Sequence, residues 1–255
     1  MKITEVKCKT ALSKSRLPGL NYSLNPYKGC SHNCAYCYVP NVMKIPRKKW
    51  GTFVEVKTNI PNILSKEIRK KEKGVVGIST VTDPYQPVEK KYKLTRFCLE
   101  QLLIYDFPVC IQTKSDLVTR DIDIIKNFSN AEVMFSIGTI NDSERKILEP
   151  NSASIKARLD AMKEISANGV KTSVFFGPMY PKINKNNIEK IVNVFISHGA
   201  KTIMLDKFNL KPGILSNLEK KIPGVSKKIK KQSFLEETYK NIKNNFDNVE
   251  IVLAF

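Results

Sequence analysis

Apolar runs typical of strands alternate with helically spaced apolar residues along most of the chain. The run over residues 73–80 (KGVVGIST) predicts a buried strand, and Leu94, Cys98 and Leu102 mark one face of a helix after it. The alternation continues with predicted strands at residues 108–113, 132–137, 170–176 and 201–205, and with predicted helices at 121–128, about 155–162 and 188–196. A strand near residues 22–27 precedes the series. This pattern predicts the α/β class.

Repeated βα units require parallel strands that are joined by right-handed crossovers. The pattern gives about six such units, which is fewer than the eight strands of a closed barrel. Polar residues follow the predicted strands at 80–89, 113–116, 136–142, 177–178 and 206–209. We therefore predict an incomplete (β/α)6 TIM-like barrel, with parallel strands inside, helices outside and the functional side chains at the carboxyl ends of the strands.

The carboxyl-terminal part follows a different pattern. Residues 208–232 are rich in Lys and contain two prolines, which predicts loops and one short helix. A helix over residues 234–245 and a strand over residues 249–255 close the chain. Because no repeat or low-complexity linker interrupts the pattern, we predict one domain over residues 1–255, with a core at about 20–210 and an extension at 211–255.

The chain is strongly basic, with 43 Lys and Arg against 24 Asp and Glu and a formal charge of +19. Basic proteins are attracted to phosphate through counterion release, so a nucleic-acid substrate or partner is one interpretation. Only seven of the basic residues are Arg, the side chain best suited to bidentate phosphate contacts, which weakens that interpretation.

No apolar run approaches the roughly 18 residues of a membrane span, so we predict a cytoplasmic protein without membrane contact.

Three of the six cysteines lie within eight residues: Cys30, Cys34 and Cys37. In a reducing compartment, clustered cysteines indicate metal binding or redox chemistry rather than disulfides. Thiolates suit both zinc and iron–sulfur clusters. A simple electron-transfer [4Fe–4S] centre uses four cysteines, whereas three ligands leave one iron open for chemistry. A zinc site that adds His32 or Cys8 is the alternative.

The spacing C-x3-C-x2-C, with an aromatic residue before the last cysteine, resembles the signature of the radical S-adenosylmethionine (SAM) superfamily. The resemblance implies a [4Fe–4S] cluster on Cys30, Cys34 and Cys37, whose open iron chelates the amino and carboxylate groups of SAM. It also implies reductive cleavage of SAM to a 5′-deoxyadenosyl radical, with electrons from an external donor such as ferredoxin or flavodoxin. By the same resemblance, Tyr36 would lie against the adenine.

The similarity extends over roughly residues 20–210. The motifs that carry it are residues 25–30 (NPYKGC), 82–89 (TDPYQPVE), 94–96 (LTR), 113–115 (TKS), 120–121 (RD), 148–150 (LEP) and 158–159 (RL). These motifs, and their order along the chain, resemble those of the group known as DNA repair photolyase-like, which is related to spore photoproduct lyase.

This resemblance implies a role for several residues at the predicted strand ends. Thr80, Thr82 and Asp83 occupy the place where such enzymes receive the SAM amino group. Lys114 resembles the lysine that pairs with the SAM carboxylate, an arrangement that charge-assisted hydrogen bonding favours. The remaining two positions are Ser136, as a ribose or carboxylate contact, and Gly177, whose backbone would approach the adenine. Each of these residues could instead have a purely structural role.

One departure from the group concerns the substrate. Spore photoproduct lyase uses a cysteine in the loop after the second strand to return a hydrogen atom, whereas residues 77–83 (GISTVTD) contain none. Thymine-dimer repair is therefore not expected, and Tyr85 is the remaining candidate hydrogen donor in that loop. We predict a radical SAM enzyme of lyase or oxidoreductase type. The alternative is a basic nucleic-acid-binding protein with a structural cluster or zinc site.

Overall fold

A computed structural model describes residues 1–179, 185–206, 210–229 and 233–254. Its strands are β1 (Lys2–Val6), β2 (Leu12–Lys14), β3 (Tyr22–Leu24), β4 (Tyr27–Lys28), β5 (Phe53–Lys57), β6 (Val76–Ile78), β7 (Val109–Thr113), β8 (Ala131–Ser136), β9 (Lys171–Phe176), β10 (Thr202–Leu205) and β11 (Glu250–Leu253). Eight of these strands form one sheet in the order β11-β10-β9-β8-β7-β6-β3-β2, and β1, β5 and β4 form a smaller sheet.

The large sheet is parallel from β3 to β11, and only the edge strand β2 runs antiparallel to its neighbour β3. Its strand order follows the chain order, as successive right-handed βα units require. Consecutive residues of β8 and β9 are buried, which is typical of a parallel sheet covered on both faces. The predicted α/β fold with an incomplete parallel barrel is therefore confirmed.

Helices connect most of these strands. Their bounds are α1 (Val39–Val42), α2 (Ile60–Glu67), α3 (Glu89–Tyr92), α4 (Leu94–Ile104), α5 (Ile122–Ile125), α6 (Asp142–Leu148), α7 (Ile155–Ala167), α8 (Lys185–Ser197), α9 (Ile214–Lys221), α10 (Val225–Ile229) and α11 (Ser233–Asn245). Single-turn 3-10 segments cover Arg47–Lys49 and Ile68–Lys70, and a longer one covers Asp116–Asp121. In α4, Leu94, Cys98 and Leu102 are buried together, as their helical spacing predicts.

Several element predictions need correction. The strand predicted near residues 22–27 is two strands in different sheets, because Pro26 between them has no N–H to continue a ladder. The helix predicted over residues 121–128 is the short α5, preceded by the 3-10 segment. The loop region predicted over residues 208–232 holds two helices, α9 and α10, with Pro223 between them. Residues 207–209, 230–232 and 255 of the predicted segments lie outside the described residues.

The part of the chain after residue 210 joins the large sheet. Strand β11 pairs in parallel with β10, in the register Ile203 with Ile251. Helix α11 packs against β11 and α8. Within the described residues, none of the helices is long and apolar enough to cross a membrane.

Candidate cofactor site at the carboxyl ends of the strands

The three clustered cysteines lie on the loop between β4 and α1. Gly29 opens this loop with a φ of +89°, and a Cβ at that position would lie 2.4 Å from the carbonyl oxygen of Phe53. Only glycine therefore fits this close approach. The amide of Cys37 donates to the carbonyl of Cys34 at 3.1 Å, which folds the second half of the loop into a turn. Cys30 is buried, Cys34 and Cys37 are half-buried, and all three are free thiols.

The surroundings of the thiols are poorly hydrated. Burial, followed by the charges of Asp83 and Cys37, raises the pKa of Cys30 to about 12. Burial also raises the pKa of Cys34 and of Cys37, and Lys114 is the strongest opposing influence on Cys34. Because a metal ligand must be a thiolate, a bound cation has to displace these protons, which couples metal binding to proton release.

The donor set fits a [4Fe–4S] cluster with one open iron. Three thiols on one loop match the soft-ligand chemistry of iron–sulfur clusters, and each cysteine of such a cluster binds a different iron atom. Across residues 1–179, 185–206, 210–229 and 233–254, no three His, Cys, Asp or Glu side chains are grouped so as to hold one metal ion.

The loop that follows β6 is fastened to the cysteine loop. Gln86, fully buried, accepts a hydrogen bond from the amide of Ser31 at 2.9 Å. Its Nε2 donates to Thr82 Oγ1 at 2.9 Å, and Thr82 Oγ1 donates to the carbonyl of Gly29 at 2.6 Å. The hydroxyl of Thr82, predicted to contact SAM, therefore bonds to the backbone of the cysteine loop.

Asp83 joins the ends of β6 and β7. Its carboxylate accepts hydrogen bonds from Thr113 Oγ1 at 2.8 Å, from the amide of Lys114 at 2.7 Å and from the amide of Tyr85 at 2.9 Å. His32 Nδ1 lies 3.4 Å from its Oδ2. Burial alone would raise the pKa of Asp83, but the nearby His32 ring and the amides of Lys114 and Tyr85 lower it to about 2. Asp83 is thus an anion whose oxygens are taken up by protein groups, which is the geometry of a positioning residue.

Lys114 lies at the end of β7 and faces the end of β8. Its ammonium donates to Ser136 Oγ at 2.8 Å and lies 5.8 Å from the ring centroid of Tyr36. Burial alone would lower the pKa of Lys114, but Cys34 and Glu149 nearby raise it above its ordinary value. The side chain therefore stays a cation beside the thiols.

A buried ion pair between Glu149 and Arg158 holds the Tyr36 side chain. The Tyr36 hydroxyl donates to Glu149 Oε1, and Arg158 Nη2 donates to Glu149 Oε2 at 2.5 Å. Arg158 Nη1 also donates to the carbonyl of Ser136 at 2.7 Å. Burial would raise the pKa of Glu149, but Arg158 and Lys114 lower it, so the carboxylate is charged. Glu149 and Arg158 thus hold the Tyr36 ring and the end of β8 in one network.

Thr80 and Gly177 lie at the strand ends on either side of Lys114 and Ser136. Thr80 follows β6, and its Oγ1 is 3.5 Å from Asn25 Nδ2. Gly177 follows β9 and is joined to Pro178 by a cis peptide bond. A Cβ on Gly177 would lie 2.6 Å from the Cβ of Asp206, so the backbone passes close to the end of β10.

The structure thus brings most predicted site residues to one edge of the sheet. Contacts or mutual electrostatic influence link Cys30, Cys34, Cys37, Tyr36, Lys114 and Ser136. The supporting residues Gln86, Glu149 and Arg158 received no role from sequence reasoning, although all three lie in motifs that carry the resemblance. Tyr85, the candidate hydrogen donor, is only 1% exposed, and the Arg120 guanidinium lies 5.9 Å from its ring centroid.

Comparisons with known proteins identify the family of this chain. The family model of the Radical SAM superfamily matches residues 24–195. An uncharacterized protein of Methanocaldococcus jannaschii is 38% identical over 184 residues, which cover 72% of this chain and 70% of that protein. The Radical SAM Nalpha-GlyT isomerase of Pseudomonas phage M6 is 24% identical over 204 residues, which cover 77% of this chain and 42% of the isomerase.

Among solved structures, a mutant of spore photoproduct lyase superposes with a TM-score of 0.77 at 16% identity, over 99% of this chain and 82% of that one. A structure of this lyase with bound AdoMet and dinucleoside spore photoproduct has a TM-score of 0.73 at 16% identity, over 98% and 81% of the two chains. At this identity the likeness shows the fold. Together with the family match, it shows that the chain is an enzyme of the radical SAM superfamily.

Proposed function

We propose that this chain holds a [4Fe–4S] cluster on Cys30, Cys34 and Cys37 and binds SAM at the open iron. When bound, these groups supply the reductive cleavage of SAM to a 5′-deoxyadenosyl radical, which abstracts hydrogen from a substrate. The observation that carries the proposal is the contact between the Lys114 ammonium and Ser136 Oγ, with the Lys114 charge near the thiols of Cys34 and Cys37. A fixed cation at this place complements the carboxylate of an amino acid.

The chain's own residues prepare this site before any ligand binds. Lys114 is held by Ser136, so its charge is oriented rather than free to rotate. The Tyr36 ring is fixed through its hydroxyl to Glu149, and an aromatic ring is suited to stacking on a base. Asp83 and Gln86 hold the surrounding loops together, as described above. Such preorganisation lowers the cost of ordering side chains when SAM binds.

Anaerobic reconstitution with iron and sulfide tests the proposal. We expect four irons per chain and formation of 5′-deoxyadenosine from SAM and dithionite. A triple Cys30→Ala, Cys34→Ala, Cys37→Ala variant should lose both the iron and the product. Cys110→Ala, which changes a half-buried thiol of β7 outside the loop, is the matched control and should keep both. Four bound irons without any 5′-deoxyadenosine would contradict the proposal.

The positive charge of the chain supports a second candidate, a nucleic-acid-binding protein whose cluster is structural. This candidate predicts DNA or RNA binding that weakens steeply with salt and survives Cys30→Ala in a folded protein. It also predicts that SAM leaves the electron paramagnetic resonance (EPR) spectrum of the reduced cluster unchanged. A change of that spectrum on SAM addition decides in favour of the enzyme.

We also propose that the electron donor is an acidic carrier of the ferredoxin or flavodoxin type. Residues 38–54, which follow Cys37, contain no Asp or Glu, and Lys44, Lys48 and Lys49 are exposed there. Opposite charges on partner surfaces accelerate association. A Lys48→Glu, Lys49→Glu variant should be reduced more slowly by flavodoxin but normally by dithionite, whereas Lys163→Glu should behave as the unchanged protein. Equal rates of reduction by flavodoxin in the variant and the unchanged protein would contradict the proposal that these lysines contact the electron donor.

A further inference from the structure

Arg47 begins the 3-10 segment that follows the cysteine loop and is hydrogen-bonded to that loop. Its Nη1 donates to the carbonyl oxygen of Cys37 at 2.9 Å, and its Nη2 donates to Asn41 Oδ1 at 2.6 Å. The side chain is half-buried. Because both contacts are made to residues 37–41, the guanidinium has a fixed place beside one cysteine of the proposed cluster.

The pairing of Arg47 differs from that of the other arginines that are buried or half-buried. Each of the others lies 2.5–2.9 Å from a carboxylate oxygen: Arg96, Arg120, Arg145 and Arg158. In the part of the chain that the structure describes, no carboxylate forms an ion pair with Arg47. Its two hydrogen-bond acceptors are neutral oxygens, so its charge has no protein counter-charge there.

The neighbouring groups add positive charge rather than compensate it. Lys48 and Lys49 follow directly, and residues 38–54 contain no Asp or Glu. On another side, a Cβ at Gly213 would lie 3.5 Å from Arg47 Nε, and Gly213 directly precedes α9, whose amino-terminal end carries the positive pole of the helix dipole. A half-buried charge without a counter-charge is costly, so this place favours an anion.

Cys37 is the group nearby that can become such an anion. Burial raises the pKa of its thiol, and the charge of Arg47 is one of the influences that oppose this rise. This agrees with the hydrogen bond that fixes the guanidinium on the carbonyl of the same residue. Arg47 therefore complements a thiolate at Cys37 and any anionic group bound to it.

We propose that Arg47 is a positioning residue whose fixed charge raises the reduction potential of the cluster bound by Cys30, Cys34 and Cys37. This inference rests on the proposed function, because it requires the cluster. Three thiolates make such a cluster anionic, and one-electron reduction, by the carrier or by dithionite, adds one more negative charge. A nearby cation therefore stabilises the reduced state more than the oxidised state. Net charge is among the quantities that set iron–sulfur potentials.

The test replaces Arg47 with citrulline, which has nearly the same shape and keeps N–H donors but carries no charge. Arg47→Gln is a second uncharged variant made from ordinary residues, and Arg47→Lys keeps the charge. The readout is the midpoint potential of the reconstituted cluster in an EPR-monitored redox titration without SAM. We expect the equilibrium constant for reduction to fall about tenfold in the citrulline variant, a negative shift of about 59 mV for one electron. Arg47→Lys should stay close to the unchanged protein.

Lys48→Gln is the matched control, since it removes a charge from the next residue, which is exposed and screened by solvent. It should leave the midpoint unchanged. An unchanged or higher midpoint in the citrulline variant, with four irons bound, overturns the inference and leaves the proposed function standing. An equal shift in the citrulline and Arg47→Lys variants assigns the effect to altered contacts rather than to charge and also overturns it.

Loss of iron from the uncharged variants, without a shift in the midpoint of the remaining cluster, assigns Arg47 a structural role and overturns the inference as well. Failure of the unchanged protein to bind a cluster refutes the proposed function instead.

Discussion

Arg158 and Glu149 form a buried ion pair next to Tyr36 of the candidate cofactor site, with Arg158 Nη2 and Glu149 Oε2 2.5 Å apart. The side chain of Arg158 is inaccessible, and that of Glu149 is 2% exposed. Removing two charges from water is costly, and an apolar pair could fill such a space at least as stably. The pair is better explained by its second contacts, because it orients the Tyr36 hydroxyl and the carbonyl of Ser136 at the site.

Glu149→Gln should destabilise the protein strongly. The variant keeps the shape of the side chain but leaves the Arg158 guanidinium without its counter-charge, and breaking a buried pair costs about 3–5 kcal/mol. The free energy of unfolding in urea, measured on the iron-free protein, checks this value. Glu164→Gln, on the exposed face of α7, is the control and should change it by less than about 0.5 kcal/mol. A loss of under about 1 kcal/mol for Glu149→Gln would show that Arg158 is stabilised elsewhere.

Lys114→Met should weaken SAM binding. Methionine fills similar space but removes the charge that we assign to the carboxylate of SAM, and a hydrogen bond to a charged group contributes about 1.5–3 kcal/mol. The dissociation constant should therefore rise roughly 10-fold to 100-fold. Titration of the reduced cluster with SAM, followed by EPR, gives this constant. Lys126→Met changes an exposed lysine and should leave it unaltered; an unaltered constant for Lys114→Met would remove Lys114 from the site.

The cysteine cluster could be found in the sequence because its three residues lie within eight positions, and the resemblance of their spacing to the radical SAM signature implies the chemistry. The network of Tyr36, Glu149 and Arg158 could not be predicted, since Tyr36 and Glu149 are 113 residues apart and meet only when β8 and its neighbours fold. Asp83 illustrates a second limit. Its position after a strand predicts a site residue, but only the fold reveals that donors from β7 occupy its oxygens.

The fold was predicted with similar limits. Hydrophobic periodicity identifies which positions are buried, and it predicted α4, α7 and the parallel strands β6 to β10 close to their observed positions. Periodicity does not distinguish the hydrogen-bonding pattern of a short segment, so the helix predicted over residues 121–128 is the four-residue α5, preceded by a 3-10 segment over residues 116–121. The strand break at Pro26 was visible in the sequence, but the existence of a second sheet that receives β4 was not.

Asn217→Ala should weaken the attachment of the cysteine loop to helix α9 in the carboxyl-terminal part of the chain. Asn217, on α9, donates from Nδ2 to the carbonyl of Ala35 at 2.7 Å and so joins residues after 210 to the loop. One neutral hydrogen bond contributes about 1 kcal/mol, so the iron should leave the variant several times faster in the presence of a chelator. Ser216→Ala is the control, because the Ser216 hydroxyl donates to the carbonyl of Gly213, directly before the same helix. Equal rates of iron loss would show that α9 does not stabilise the loop.

Asp142→Asn should reduce stability in a way that depends on pH. A hydrogen bond from Arg145 lowers the pKa of Asp142 to about 2, against the opposing effect of burial and with help from the amide of Ile155. A carboxyl whose pKa is lower in the folded state stabilises it above the unfolded-state pKa of 3.8, and this contribution disappears as the pH falls towards 2. Because Asp142 is 37% exposed, solvent screening limits the contribution to about 1 kcal/mol. Urea unfolding should therefore give a difference between the two proteins at about pH 5 that shrinks at about pH 2.5, whereas a difference independent of pH would assign it to the lost geometry alone.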